Sequence, residues 1–208
     1  NKMEDAWKDI NFEVSPYKKT GTFCVRVRDE IIQLLDEHIV TTQAMQFSPY
    51  KQFFVDRIAR WVAKLNMVYE VIEELIAVQS KWMSVEAVFN SEDIKRQLLS
   101  ESRQFSNVNK NWRLIMQQVQ SNPDVLIFCD NPTLLQKLKE YNKHLEQVSS
   151  RLTDYLDNKR AAFARFYFLA DRELLDILQR TQEPAAVQAH LKTCFENIDH
   201  LEFQQDLT

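Results

Sequence analysis

The sequence predicts an all-α fold: an elongated bundle or rod of antiparallel helices, with two long helices and a small N-terminal β-hairpin. Three observations carry that reading. Glycine occurs once in 208 residues, at Gly21, and proline five times, whereas β-rich and α/β folds need many turns with positive φ. Two stretches hold an apolar stripe of alternating four- and three-residue spacing for about six helical turns. Only residues 10–27 alternate with period two.

The hairpin comes first. Ile10, Phe12 and Val14 alternate with polar residues, Ser15-Pro16 and Lys19-Thr20-Gly21 follow, and Phe23, Val25 and Val27 alternate again. Two such runs about a glycine-containing turn predict a hairpin over 10–27. It must lean on helices, because two strands do not persist alone. A helix over 28–45 then sets Ile31, Leu34, Leu35 and His38 on one face.

Ser48-Pro49 offers an N-cap and a first-turn proline. The first long helix is expected to run from there to about residue 80 on Phe54, Ile58, Trp61, Leu65, Val68, Ile72 and Leu75. A second row, Val55, Val62, Tyr69, Ile76 and Met83, predicts packing on more than one partner. Trp82, Val85 and Phe89 continue at helical spacing, and Ser91-Glu92-Asp93-Ile94 marks a break and a fresh short turn.

Phe105, Val108, Trp112, Ile115 and Val119 predict a further helix, stopped by Ser121-Asn122-Pro123. Asn131-Pro132 opens the second long helix by the same cap-and-proline logic, on Leu134, Leu138, Tyr141, Leu145, Val148, Leu152 and Tyr155. At about 1.5 Å per residue each long helix spans roughly 40 Å. The two are expected to lie antiparallel, joined through shorter ones. Glu173–Leu178 predicts a short helix, and Glu183-Pro184 opens a last one along Val187, Leu191, Cys194, Ile198 and Leu201. The expected division is a helical subdomain over 28–120 and another over 121–208. There is no compositional linker, repeat or low-complexity tract to suggest more.

Net charge is −4 with both signs interspersed, so no overall field recruits nucleic acid. No apolar run approaches the roughly 20 residues of a membrane span, and the N-terminus shows no signal peptide. Cys24, Cys129 and Cys194 lie far apart, which predicts free thiols in a reducing compartment. The chain opens without methionine and stops in polar sequence at Gln204-Gln205-Asp206-Leu207-Thr208, as an excised fragment does.

A single glycine rules out a Walker loop and a dinucleotide fingerprint. No catalytic, cofactor or metal site is predicted. The Glu-x-x-His pairs of di-iron bundles do not occur. His190 and Cys194, four apart, are the nearest pair of metal-ligand types, and two ligands fall short of a structural zinc site. His38, His144 and His200 read as helix-surface residues. The carboxylate pairs Glu73-Glu74 and Asp36-Glu37 read as solvated faces, and no serine is singled out beside a base.

One stretch exceeds what pattern explains. From Tyr155 to Leu169 a helix runs into Lys159-Arg160 and then into Phe163, Arg165, Phe166, Tyr167 and Phe168. Cations there complement a helix C-terminus, and Arg165 is placed to stack on an aromatic ring. The aromatics read first as core and second as an interdomain contact laid bare in a fragment. Trp82, Phe163, Arg165, Phe166, Tyr167 and Phe168 are the structural or docking candidates.

This run resembles the linker region of dynein heavy chains, where a Tyr-Leu-Glu-x-Lys-Arg-type helix end precedes Phe-Pro-Arg-Phe-Tyr-Phe-Leu-Ser. Further blocks follow in the family's order. They include Asn11–Val14 with Thr20–Phe23, Leu34–Val40 with Ser48-Pro49-Tyr50, Val78–Trp82 leading to Ser91–Ile94, and Cys194-Phe195-Glu196. The Gln79–Ile94 block and the Cys194 block are similar to the ciliary branch more than the cytoplasmic one. Ala164 and Leu99 stand where the family usually has proline, and Ala170 where it has serine, which leaves Asp171 to cap the next helix.

The resemblance implies the N-terminal part of a helical lever that arches across a ring of AAA+ ATPase modules and swings as the ring turns over ATP. It implies no catalysis and no cofactor in this segment. ATP and Mg would belong to the ring of the same heavy chain. Through that parent the partners would be the tail, intermediate and light chains and microtubules, in a ciliary or flagellar axoneme, with no nucleic acid and no membrane. The alternative is a freestanding spectrin-like scaffold that binds partner helices; a small helical enzyme is the third class.

Overall fold

The computed structural model describes residues 2–179 and 184–202. Its first elements are α1 (Lys2–Ala6), the strands β1 (Glu13–Tyr17) and β2 (Thr22–Arg26), and α2 (Asp29–Gln46). The two longest helices are α3 (Val55–Glu86) and α7 (Pro132–Ala162). Between them lie α4 (Glu92–Gln97), α5 (Leu99–Ser121) and α6 (Val125–Cys129); α8 (Asp171–Gln179) and α9 (Leu191–Cys194) follow. The all-α class with one small hairpin stands as the composition predicts. The expected helix start at Glu183 and the polar end Gln204–Thr208 lie outside the described residues.

β1 and β2 pair antiparallel, Glu13 opposite Arg26 and Tyr17 opposite Thr22. Gly21 (φ 73°) and Lys18 (φ 47°) turn the chain in the left-handed region, which glycine enters without strain. Pro16 lies within β1 opposite Phe23, not in the turn. The Gln79 carboxamide explains why this is tolerated. It accepts from Val25 N and donates to Val25 O, both at 2.8 Å, so Val25 faces away from β1. By alternation Pro16–Phe23 is also a pair that exchanges no hydrogen bond, and the missing proline N–H costs the ladder nothing. Arg113 Nη1 donates to Thr20 O at 2.7 Å and holds the turn. The chain before β1 is tied by a bridge of Asn11 to Asp124.

Chain division differs from a cut near residue 120. One compact unit takes residues 1–80 and 108–143, the other 81–107 and 144–208. The reason is helix length: α3, α5 and α7 each give residues to both units, so no loop between helices separates them. In the first unit Glu70 meets Lys139 at 2.6 Å and Glu74 meets Asn142 at 2.8 Å. Pairs that ascend together, one turn apart on each helix, mean that α3 and α7 run parallel here. The expected antiparallel pairing of these two helices is corrected; α5 lies between them in the chain and makes the return.

α3 buries Leu65, Val68, Ile72 and Leu75 as expected. Its start is corrected. Ser48 does cap, accepting from Tyr50 N at 3.3 Å, but it opens a turn and a 3-10 segment (Lys51–Phe53), and α-helix begins only at Val55. The second row is corrected too: Val55, Tyr69 and Ile76 are exposed, while Val71, Val78 and Val85, seven apart, are sealed. His38 is buried, not superficial; its Nδ1 accepts from the Trp7 indole at 2.9 Å. It continues the buried α2 face of Ile31, Leu35 and Thr42. α6, unmarked by any stripe, is capped by Asp124, whose Oδ1 accepts from Ile127 N at 2.8 Å. Asn131 Oδ1 accepts from Leu134 N at 3.1 Å, the cap expected for α7. The last helix shrinks to a 3-10 segment (Pro184–His190) and one α turn, with Ile198 and Leu201 beyond it.

Candidate docking site

The aromatic run sits where α7 ends and α8 begins, in the second unit. Lys159 and Arg160 occupy the last turn of α7, where cations complement the helix dipole. Lys159 also lies 5.2 Å above the Tyr155 ring. Arg160 does more than offset a dipole. Its guanidinium donates to Asp157 Oδ1 at 3.3 Å, Leu169 O at 3.2 Å and Asp171 Oδ1 at 2.5 Å. It therefore clips the end of α7 to the start of α8 and closes the segment between them.

Inside that clip, residues Ala164–Phe168 form a 3-10 helix. Three residues per turn put positions three apart on one ridge, here Phe163, Phe166 and Leu169. Phe163 meets Phe166 edge-on at 4.9 Å. Phe166 and Leu169 pack on a cluster with Leu156, Leu174 and Cys194. Tyr167 and Phe168 fall off the ridge and stay 64% and 66% exposed. The core reading of the run is thus corrected: it holds for Phe166 in part, while Phe163, Tyr167 and Phe168 face solvent. Trp82, wholly buried in α3, is a packing residue and not a docking one.

Arg165 stacks as its surroundings suggested, on a ring the run does not contain. Its guanidinium lies 4.5 Å over Phe195, and Nη1 donates to Cys194 O at 2.9 Å. Phe163 also leans on Phe195, at 6.4 Å. The sequence marks Phe195 only as part of the Cys194-Phe195-Glu196 block and not as a stacking partner, because nothing local ties it to Arg165, thirty residues earlier. At α8 the cap differs from expectation. Ala170 precedes the helix and Asp171 is its first residue. Glu173 Oε2 accepts from Ala170 N at 2.9 Å, so the reciprocal half of a capping box is made. The serine half is missing, and Asp171 serves Arg160 instead.

Burial pushes the Cys194 thiol up, against the pull of Arg165, so it is a weak nucleophile. His190 Nε2 pairs with Asp176 Oδ2 at 3.1 Å and so faces a carboxylate of α8. Among the described residues no group of three or more His, Cys, Asp or Glu side chains is arranged to hold a metal ion. No described helix is long and apolar enough to cross a membrane. What the arrangement offers is a firmly clamped turn that presents a tyrosine, a phenylalanine and a half-hidden aromatic ridge.

Comparison with known proteins fits this picture. The sequence matches the protein-family model described as "Dynein heavy chain, N-terminal region 2" over residues 1–208. It is 49% identical over 207 residues to "Dynein axonemal heavy chain 1" of Mus musculus and 47% identical to that of Homo sapiens. It is 42% identical to "Dynein axonemal heavy chain 12" of Homo sapiens. Each match covers 100% of this chain but only 5% of the two heavy chains 1 and 7% of heavy chain 12.

Proposed function

The chain belongs to the dynein heavy chain family, and on that premise we propose that it is the N-terminal part of the motor's mechanical lever. It carries no catalytic step. It joins the tail of the heavy chain to the moving part and passes on the shape change that ATP turnover drives in the AAA+ ring of the same polypeptide. The motor works on microtubules in a ciliary or flagellar axoneme, a location supported by axonemal relatives along the whole of this chain.

The observation that carries the reading is the match of all 208 residues to a dynein heavy chain region. The physical character of the chain supports it. A lever must carry load without melting, and α3, α5 and α7, 32, 23 and 31 residues long, each contribute to both compact units. A lever must also dock and release. Tyr167 and Phe168 on a turn clipped by Arg160 suit an interface of the transient kind, modest in area and partly polar.

The test is made on the intact heavy chain. Tyr167→Ala with Phe168→Ala removes exposed rings only, so folding is spared. The proposal expects slower microtubule gliding at a preserved rate of ATP hydrolysis, because force transmission is weakened and the ring's chemistry is not. Gliding at the parent speed would remove the docking role of the turn. Loss of hydrolysis together with gliding would assign the turn to the chemistry rather than to the lever.

A further inference from the structure

The first unit carries a second apolar surface, where α2 gives way to α3. An open hollow of ≈ 320 Å³ has Met45, Phe54, Ile58 and Trp61 in its walls, with Lys51 and Arg57 among its lining. No carboxylate is among its described lining residues. Glu4 reaches Arg57 at 3.3 Å, but both side chains are about half exposed, and such a pair is exchanged for another carboxylate at little cost.

The hollow is at the small end of the roughly 300–1,000 Å³ of ligand pockets. The apolar surface continues along the chain beyond it. Phe47 and Phe53 lie outside the hollow and Tyr50 at its lining, and Phe53 is 88% exposed. Rings this bare, in one short segment, exceed what scattered surface residues explain and exceed what a small molecule in the hollow would cover.

We infer that this surface docks an amphipathic helix from a separate protein, with a large apolar side chain in the hollow and acidic residues beside Lys51 and Arg57. The apolar walls take the helix stripe, the mode in which a helix lies in a groove. Lys51 and Arg57 outweigh the single half-exposed Glu4 carboxylate, and that positive balance selects acidic over basic flanks. This surface is distinct from the aromatic turn, and the inference holds or fails independently of the lever.

The test is fluorescence anisotropy of a labelled amphipathic peptide of about five helical turns, with leucine and tryptophan on its stripe and glutamate on its flanks, titrated with the intact heavy chain. The expected result is saturable binding, at least about tenfold tighter than that of the same peptide with lysine flanks. Lys51→Glu with Arg57→Glu should reverse the preference. Phe53→Ser, a change at a solvent-facing position, should weaken the glutamate peptide and leave the circular dichroism unchanged. No saturable binding of the glutamate peptide, equal affinity for both peptides, or a preference that survives charge reversal would each overturn the inference. A surface already covered by another part of the same heavy chain gives the first of these.

Discussion

Trp82 and Phe168 show how differently two aromatic residues of one helical chain are used. Trp82 lies on the sealed face of α3 with Val78 and Val85, while Phe168 points to solvent from a 3-10 turn. Trp82→Ala should therefore cost about 3–5 kcal/mol in denaturant unfolding, and Phe168→Ala less than about 0.5 kcal/mol. Equal costs would mean that the ridge geometry of the turn is wrong. Ala170 gives a prediction of the opposite sign. Glu173 already accepts from Ala170 N, so Ala170→Ser completes the capping box and should add about 0.5–2 kcal/mol. No gain in midpoint would show that the hydroxyl does not reach its backbone partner.

Cys129 supplies the pH dependence at this scale. Burial is the main cause that pushes its thiol far above the ordinary 9.0, with Asp124 adding to it. The folded state thus keeps a proton that the unfolded state loses near pH 9. The stabilisation is complete below that value and declines as pH rises above it. Tyr141 and Tyr155, also pushed up mainly by burial, act with the same sign near pH 10. Unfolding stability measured from pH 8 to 11 should fall, and Cys129→Ala should flatten the first part of the fall; an unchanged slope in the variant would sink this assignment.

At the level of elements, stripes and caps were legible and packing partners were not. The α7 stripe and its Asn131 cap could be read directly, because both depend on residues close in sequence. The start of α3 could not. Ser48-Pro49 has the chemistry of a helix start, yet the chain first makes a 3-10 segment of three residues, Lys51–Phe53. The false second row of α3 has a similar origin. Val55, Tyr69 and Ile76 and the true row Val71, Val78 and Val85 both repeat every seven residues. Period alone does not say which flank meets a neighbour. His38 was misplaced because its partner, Trp7, is 31 residues away.

Gln79 is the element-scale contact that no local pattern announces, since it joins α3 to β2 across 54 residues. Gln79→Met keeps the side-chain length and leaves Val25 N and O unpaired. The expected cost is on the order of 1–3 kcal/mol, with faster hydrogen exchange at the Val25 amide. Unchanged protection there would show that the hairpin is held by other contacts. Leu99 argues the reverse case. It is the first residue of α5, and Leu98 before it (φ −120°, ψ 59°) is already outside the α region. Leu99→Pro should therefore be tolerated, and a fall in melting temperature would contradict the placement of that helix start.

For the whole molecule, composition and the ordered set of motifs located the family, while the three-dimensional division stayed hidden. A cut near residue 120 follows the order of helices in the chain. The compact units instead interleave, because α3, α5 and α7 each serve both. The aromatic turn was visible as a sequence anomaly, but its exposed side was not, since that depends on the three-residue ridge and on Phe195 from beyond α8. The lever reading joins these scales: long helices shared by two units, a clamped turn with bare rings, and a family match across every residue.

The most direct test of that reading follows the segment in motion. A fluorophore at exposed Lys137 of α7, paired with a second on the proposed AAA+ ring of the same heavy chain, reports their separation by energy transfer. The account predicts a transfer efficiency that changes with each nucleotide state and cycles at the rate of turnover. A constant efficiency during steady hydrolysis would contradict it, because a segment that keeps its distance from the ring is not the ring's lever.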